Sequence, residues 1–337
     1  LCIYPISLII INLSAFPLFL HYWVFYTHES IILNTYTYSN PFLRFFKKFF
    51  RFTPSVLFLL FVTAPWGFSS TFYVDPLNGD ITNDGSFNHP WSTLRAVFDN
   101  NKIESRKPAA YPYKKGDPLI PKNPAAPVKA GDTIVLRNGF HGTIFAAEYY
   151  NADYITITAQ QGHIPFLGTV ELRSGCKWIL RGLSISPSHA ATYAPKTLAS
   201  FSSHGWTGPS YDCIIENCTL FSVWDTTPWS LEDWNNLACN GISLPGDQMI
   251  CRNNHLKNID FGVVVSGDFC RVEKNVVENF AGDGIRGLGD YGVFQYNTVK
   301  NCYDVNANHD DGFQSWSRVD DGQVGTGTVK GIVLRGN

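Results

Sequence analysis

Residues 306–317 read NANHDDGFQSWS and hold the densest set of reactive side chains in the chain. Asp310 and Asp311 follow His309 directly, with Gln314 and Trp316 close behind. Two carboxylates beside an imidazole are the parts of general acid–base catalysis. Clustered carboxylates also offer hard oxygen ligands to a divalent cation, calcium above all. A second stretch, SVWDTTPWSLEDWNN at 222–236, interleaves Trp224, Trp229 and Trp234 with Asp225, Glu232 and Asp233. Flat indole faces suit stacking on sugar rings, and acidic neighbours suit bonding to hydroxyls or to calcium.

A repeat positions both stretches. Gly241, Gly262 and Gly284 recur at steps of 21 and 22 residues (262 − 241, 284 − 262). Asn254, Asn275 and Asn297 keep the same steps, as do Asp247, Asp268 and Asp290. Short apolar segments between Gly/Asn/Asp corners, at a period just above twenty, predict a β-solenoid. Leucine-rich repeats have similar lengths, but their leucine ladder is absent. The expected architecture is all-β, a right-handed parallel β-helix with strands Ile242–Leu244, Val263–Val265 and Ile285–Gly287 stacked about 4.8 Å apart. Alternation turns Ile242, Val263 and Ile285 inward and Ser243, Val264 and Arg286 outward. Further inward columns are Cys251/Val272/Phe294, Leu256/Val277/Val299 and Ile259/Phe280/Cys302. The asparagines are expected at turns, where left-handed φ is tolerated and amides stack, and Asn217 is read as the equivalent of Asn254. The recurring Asp247, Asp268 and Asp290 are read as turn residues.

Gly312 falls 28 residues after Gly284 (312 − 284), so Phe313–Ser315 is expected to join the same sheet after a six- or seven-residue insertion. Gln314 then lies beside Arg286, and Asp310 and Asp311 stand at the edge where Asp260 and Asp283 stand in the coils below. Asp310, Asp311, Arg286 and His309 are the candidate catalytic residues. Gln314, Trp316, Trp224, Trp229 and Trp234 are candidate substrate contacts, and Asp283, Asp310 and Asp311 are candidate calcium ligands.

Charged residues make up 16% of the chain and the formal net charge is −2, which gives no basic face for nucleic acid. The first seventy residues stand apart. Arg44, Lys47, Lys48 and Arg51 precede an apolar run at Val56–Ala64 and small residues up to Ser69. This is a signal-peptide pattern over 42–69, and it implies a secreted, extracellular or periplasmic protein with no membrane span after processing. Residues 1–41 are expected to be upstream, non-native or unstructured sequence, with a membrane anchor as the rival reading. The β-helix is expected over 70–337, ending mid-coil as a piece of a longer chain. Near its start, Ser92 is expected to cap a short helix carrying Leu94, Val97 and Phe98 that plugs the solenoid's open end. Cys251 and Cys302 are read as small core residues, and no Cys/His spacing argues for zinc.

The opening YVDPLNGDITNDGSFNHPWSTL, the segment AGDTIVLRNGFHG and the Asn-cornered coils resemble the pectate-lyase-like superfamily of right-handed parallel β-helices, over about residues 71–337. The resemblance implies a protein that handles polysaccharides, often acidic ones. The full catalytic signature of no single member is present. Two chemistries suit the candidate residues. In a lyase, a base removes the C5 proton of a uronate whose carboxylate is neutralised by calcium or by Arg, Gln or Asn. In a hydrolase, paired aspartates act as acid and base. Elimination is the favoured expectation. A non-catalytic glycan-binding or adhesive solenoid is the third.

Overall fold

The structure is a computed structural model that describes residues 69–317 and 324–337, and the backbone of 24–27 and 30–33. The chain divides into two units, Leu1–Gly67 and Phe68–Asn337. In the first, Val24–Thr27 pairs antiparallel with Ser30–Leu33, within the segment expected to lie upstream of the leader. The rest of that segment, and the expected signal peptide up to Phe68, lie outside the described residues.

The second unit is a parallel β-helix whose coils lay strands on three faces. The first face stacks the leading parts of Ile144–Ala159 and Val170–Arg181, then Ala199–Ser200, Ile242–Leu244, Val263–Val265, Ile285–Gly287 and Phe313–Gln314. The second runs from Thr71–Val74 and Thr133–Leu136 to Val293–Gln295 and Val333–Arg335. The third runs from Gly139–Phe140 to Val276–Phe280 and Thr298–Cys302. The excursion after Ile103 folds as an antiparallel hairpin, Ser105–Pro108 with Leu119–Lys122.

The predicted strands and inward columns are in register. Val263 pairs with Ile242 and Ile285, Val272 with Cys251 and Phe294, and Phe280 with Ile259 and Cys302. Cys302 departs from the expectation in one respect, because it is exposed at the last coil of its column. Cys251 is fully buried, and Cys176, Cys213, Cys218, Cys239, Cys251, Cys270 and Cys302 are all free thiols. The glycine column is steric in origin. A Cβ on Gly262 would sit 2.1 Å from the Gly284 carbonyl oxygen, and one on Gly241 2.4 Å from that of Gly262.

The asparagine ladder differs from its predicted form. Asn254, Asn275 and Asn297 are buried. Each amide Nδ2 donates to the Oδ1 of the next, at 3.0 Å for both Asn254→Asn275 and Asn275→Asn297, and Asn337 continues the series at 2.9 Å. Left-handed φ belongs instead to the residue before each one, Asn253, Lys274 and Tyr296. Asn217 (φ 55°) is one of these. Glu216 pairs with Arg252, so Asn217 aligns with Asn253, and Cys218 takes the ladder place, its N–H donating to Asn254 Oδ1. A second ladder, Asn258/Asn279/Asn301, does combine left-handed φ with stacked amides. Asp247, Asp268 and Asp290 form the expected turn ladder, each accepting the backbone N–H of a residue in the next coil.

Helix α1 (Leu94–Asp99) buries Leu94, Val97 and Phe98. Its N-cap is Thr93 rather than Ser92, the Thr93 hydroxyl accepting from the Ala96 N–H at 3.0 Å. Phe98 packs against Tyr149 and Trp178 of the early coils.

Candidate active site

Both candidate stretches emerge where the chain crosses from the third face to the first. Two coils cross directly, from Ile259 to Val263 and from Phe280 to Ile285. The coils on either side detour, from Phe221 to Ile242 and from Cys302 to Phe313. The ladders hold the crossing points in register, so the detours are free to carry polar side chains without cost to the core.

Arg286 and Gln314 are register partners on the outer side of the first face. Arg286 Nε donates to Asp283 Oδ2, and the Asp283 side chain is completely buried. The guanidinium lies 4.0 Å from the ring centre of Phe261 and 5.0 Å from that of Trp316. Asp283 Oδ1 accepts the Asp311 backbone N–H at 3.0 Å. Both Asp283 oxygens are thereby occupied, and this residue is a counter-ion and loop anchor.

Asp311 Oδ2 accepts from Gln314 Nε2 at 3.1 Å and lies 3.3 Å from His309 Nδ1. Gln314 Nε2 is also 3.1 Å from that ring nitrogen. A proton on Nδ1 goes to Asp311 and leaves Nε2 bare, whereas a bare Nδ1 accepts from Gln314. The His309 side chain is 83% exposed. Arg286, Asn308, His309, Asp311, Gln314, Ser315, Trp316 and Val324 line a cleft of about 470 Å³.

Asp310 turns away from its neighbour. Its Oδ1 accepts from Asn308 Nδ2 at 2.8 Å, while Oδ2 is buried with no hydrogen-bond partner among the described residues. Burial, with the charges of Asp304 and Asp283 adding to it, raises its pKa against the opposing Asn308 bond. From the sequence, Asp260 is legible only as part of the edge. Burial, then the charge of Asp310, push its carboxyl up to about 6, with Arg286 opposing. The signal for it was its place one step before the Phe261/Asp283/Asp311 column.

The expected calcium ligands Asp283, Asp310 and Asp311 are all hydrogen-bonded within the protein. Each Asp283 oxygen accepts one bond, Asp311 Oδ2 accepts from Gln314, and Asp310 Oδ1 accepts from Asn308 while its Oδ2 has no partner among the described residues. Among the described residues no group of three or more His, Cys, Asp or Glu side chains is disposed to hold a metal ion.

The tryptophan-rich detour is held by its own helix cap and by bonds to the acidic detour. Helix α2 (Leu231–Leu237) opens on a capping box between Ser230 and Asp233, which gives Asp233 a structural role. Asn235 donates to the Val305 carbonyl oxygen at 3.1 Å and accepts from Asn306 at 2.8 Å, tying this detour to the acidic one. Trp234 is buried and packs on Trp229 and Tyr303. Trp224 is 58% exposed. The three tryptophans line a second cleft of about 430 Å³, Trp234 as its back wall. His255 pairs with Glu278 at 2.8 Å, and His204 Nδ1 accepts backbone N–H groups of its own turn. Neither histidine reaches a cleft. No helix among the described residues is long and apolar enough to cross a membrane.

No family model and no curated sequence matches the chain. Among solved structures, it is similar to the GH136 lacto-N-biosidase from Eubacterium ramulus, with TM-score 0.35 and 11% identity over 74% of this chain and 56% of that one. The chain thus spans little more than half of that structure's length. Pectate lyase Pel9A gives TM-score 0.32 and 13% identity, over 77% of this chain and 81% of that one. ORF18 of Geobacillus virus E2 gives TM-score 0.31 and 9% identity, over 88% and 67%.

Proposed function

We propose that this β-helix is a secreted carbohydrate-active enzyme that cleaves an acidic, uronate-containing polysaccharide by β-elimination. The observation that carries the reading is the His309–Asp311 pair set beside a fixed guanidinium, Arg286, in one cleft. The ion pair with Asp283 fixes the Arg286 guanidinium at the edge of the cleft. Arg286 is therefore the carboxylate holder and His309 the base. Only Nε is committed to Asp283, which leaves the terminal N–H groups for a bidentate carboxylate contact. Neutralising the uronate carboxylate acidifies its C5 proton. His309 Nε2 takes that proton, and the C5–H electron pair becomes the C4–C5 double bond. The C4–O bond then breaks, and the leaving oxygen takes a proton from the imidazolium or from water. Gln314 and Trp316 position the sugar ring.

One observation favours hydrolysis as a second reading. Asp260 and Asp310 have raised pKa values, and a carboxyl group kept protonated toward neutral pH is what a general acid needs. The two chemistries separate in one assay. Alginate, pectate, glycosaminoglycans and neutral glycans are offered with calcium and with chelator, while absorbance near 235 nm and reducing ends are followed together. Both rising supports elimination, and reducing ends alone support hydrolysis. Silence on every substrate from a folded protein leaves a glycan-binding role. Mass of the mature product tests the expected cut after Ser69.

A further inference from the structure

We infer that the tryptophan-lined cleft is a second subsite, taking an anionic sugar residue of the same glycan with its carboxylate or sulfate group on Lys257. The inference rests on the acidic cleft being a site for an acidic glycan. Lys257 is half-buried in the wall of a cavity lined by Trp224, Trp229, Trp234 and Tyr303 together with Asp225 and neutral Thr and Asn side chains, its Nζ 4.8 Å from the centre of the Trp224 ring. A cation in such a place ordinarily has a carboxylate partner. Its register neighbour Glu278 is the obvious one, yet Glu278 bonds to Lys300 at 2.9 Å and His255 at 2.8 Å. No carboxylate lies within ion-pair distance of Lys257 among the described residues. Asp225 is the one acidic residue lining the cleft; its Oδ1 is held by the Thr227 hydroxyl (2.6 Å) and N–H (2.9 Å), and it feels the Lys257 charge only from beyond ion-pair distance. The ring faces and the cation together match a sugar that carries a negative group.

The same segment forms a wall of both cavities, Tyr303 in one and Asn308 and His309 in the other. Tyr303 and Asn308 are five residues apart (308 − 303), at most about 18 Å of extended chain. That is within the span of a short oligosaccharide, so Lys257 and Arg286 read two negative groups along one polymer.

The test is binding, measured on the His309→Gln background so that turnover does not consume the ligand. The probes are an oligouronate, its carboxyl-reduced neutral counterpart and a sulfated oligosaccharide. Lys257→Met, which keeps length without charge, should weaken the oligouronate by about tenfold or more at low salt. Lys257→Arg should stay within about threefold, and the neutral counterpart should bind both variants alike. The sulfated probe tells whether sulfate serves as well as carboxylate. Equal affinity of Lys257→Met and its parent for both anionic probes overturns the subsite. So does an equal loss on the neutral probe, which would make Lys257 only a packing partner of Trp224. If the wild type binds with this charge dependence but cleaves nothing, the enzymatic reading falls and the subsite stands.

Discussion

Asp260 and Asp310 fall in one column at the leading edge of the first face, two coils apart, with Gly282 between them. The Gly282 N–H donates to the Asp260 carbonyl oxygen, and Gly284 pairs in the same way with Asp311. A Cβ on Gly282 would meet Asp260 Oδ1 at 2.9 Å and the Phe261 ring at 2.8 Å. Burial first, and then the Asp310 charge acting across the missing side chain, hold Asp260 near 6 from its ordinary 3.8. A raised carboxyl pKa contributes stability that is complete below about 3.8 and is lost as pH rises through 6. Asp260→Asn should therefore raise Tm by a few degrees at pH 8 and leave it unchanged at pH 3.5. Equal shifts at both pH values would sink the raised pKa of Asp260.

The base assignment predicts that His309→Gln and Asp311→Asn each lower turnover by about 10²–10⁴-fold, while oligosaccharide affinity changes little. A His309→Gln enzyme with wild-type turnover removes His309 from the chemistry and leaves Asp311, or the hydrolytic carboxyl groups, in its place.

Arg286→Lys keeps a charge but loses the fork that spans Asp283 and the cleft. The expected result is a large rise in KM for uronates with a smaller fall in kcat. Loss of folding in that variant, seen as a collapsed Tm, would instead assign Arg286 to holding Asp283.

His141 is fully buried, with Nε2 donating to the Arg137 carbonyl oxygen at 2.8 Å and Nδ1 unpartnered. Burial holds its pKa down to about 4. The unfolded chain protonates near 6.5 and the folded one only near 4, so stability is lost as pH falls through that window, by roughly 3 kcal/mol. Denaturant titrations from pH 7 to pH 4 should show the loss, and His141→Gln should show a shallower slope.

Asn275→Ala leaves the Asn254 N–H and amide without their acceptor and removes donors to Cys251 and Asn297, all in the buried ladder. A loss of about 3 kcal/mol or more is expected. Asn301→Ala, at the exposed end of the other ladder, should cost less than about 1 kcal/mol. Similar losses for both would mean that burial does not govern these amides.

The strands and inward columns were legible because stacking repeats the same steric demand in every coil, and glycine or asparagine is the answer each time. The Asn253–Asn254 pair offers two registers for Asn217, and the sequence alone does not distinguish them. The Asn258/Asn279/Asn301 ladder was hidden among polar residues with no apolar contrast. At the site, the meeting of Arg286, Gln314, His309 and Asp311 followed from register. The sealing of Asp283 and the raised carboxyl of Asp260 did not, since each depends on burial by residues from other coils. The cation of the second cleft was also invisible, because its meaning lies in the partner that Glu278 chose instead.

The two detours leave the solenoid at the same corner and lean on each other through Asn235 and Asn306. Lengthening a loop whose ends are already fixed costs only a slowly growing entropy. Such a corner is a place where a lineage can gain or exchange chemistry by insertion while its structural alphabet stays unchanged. Related scaffolds would then diverge in what they cut long before they diverge in how they fold, with the inserted segments, and not the coils, recording the history of the substrate.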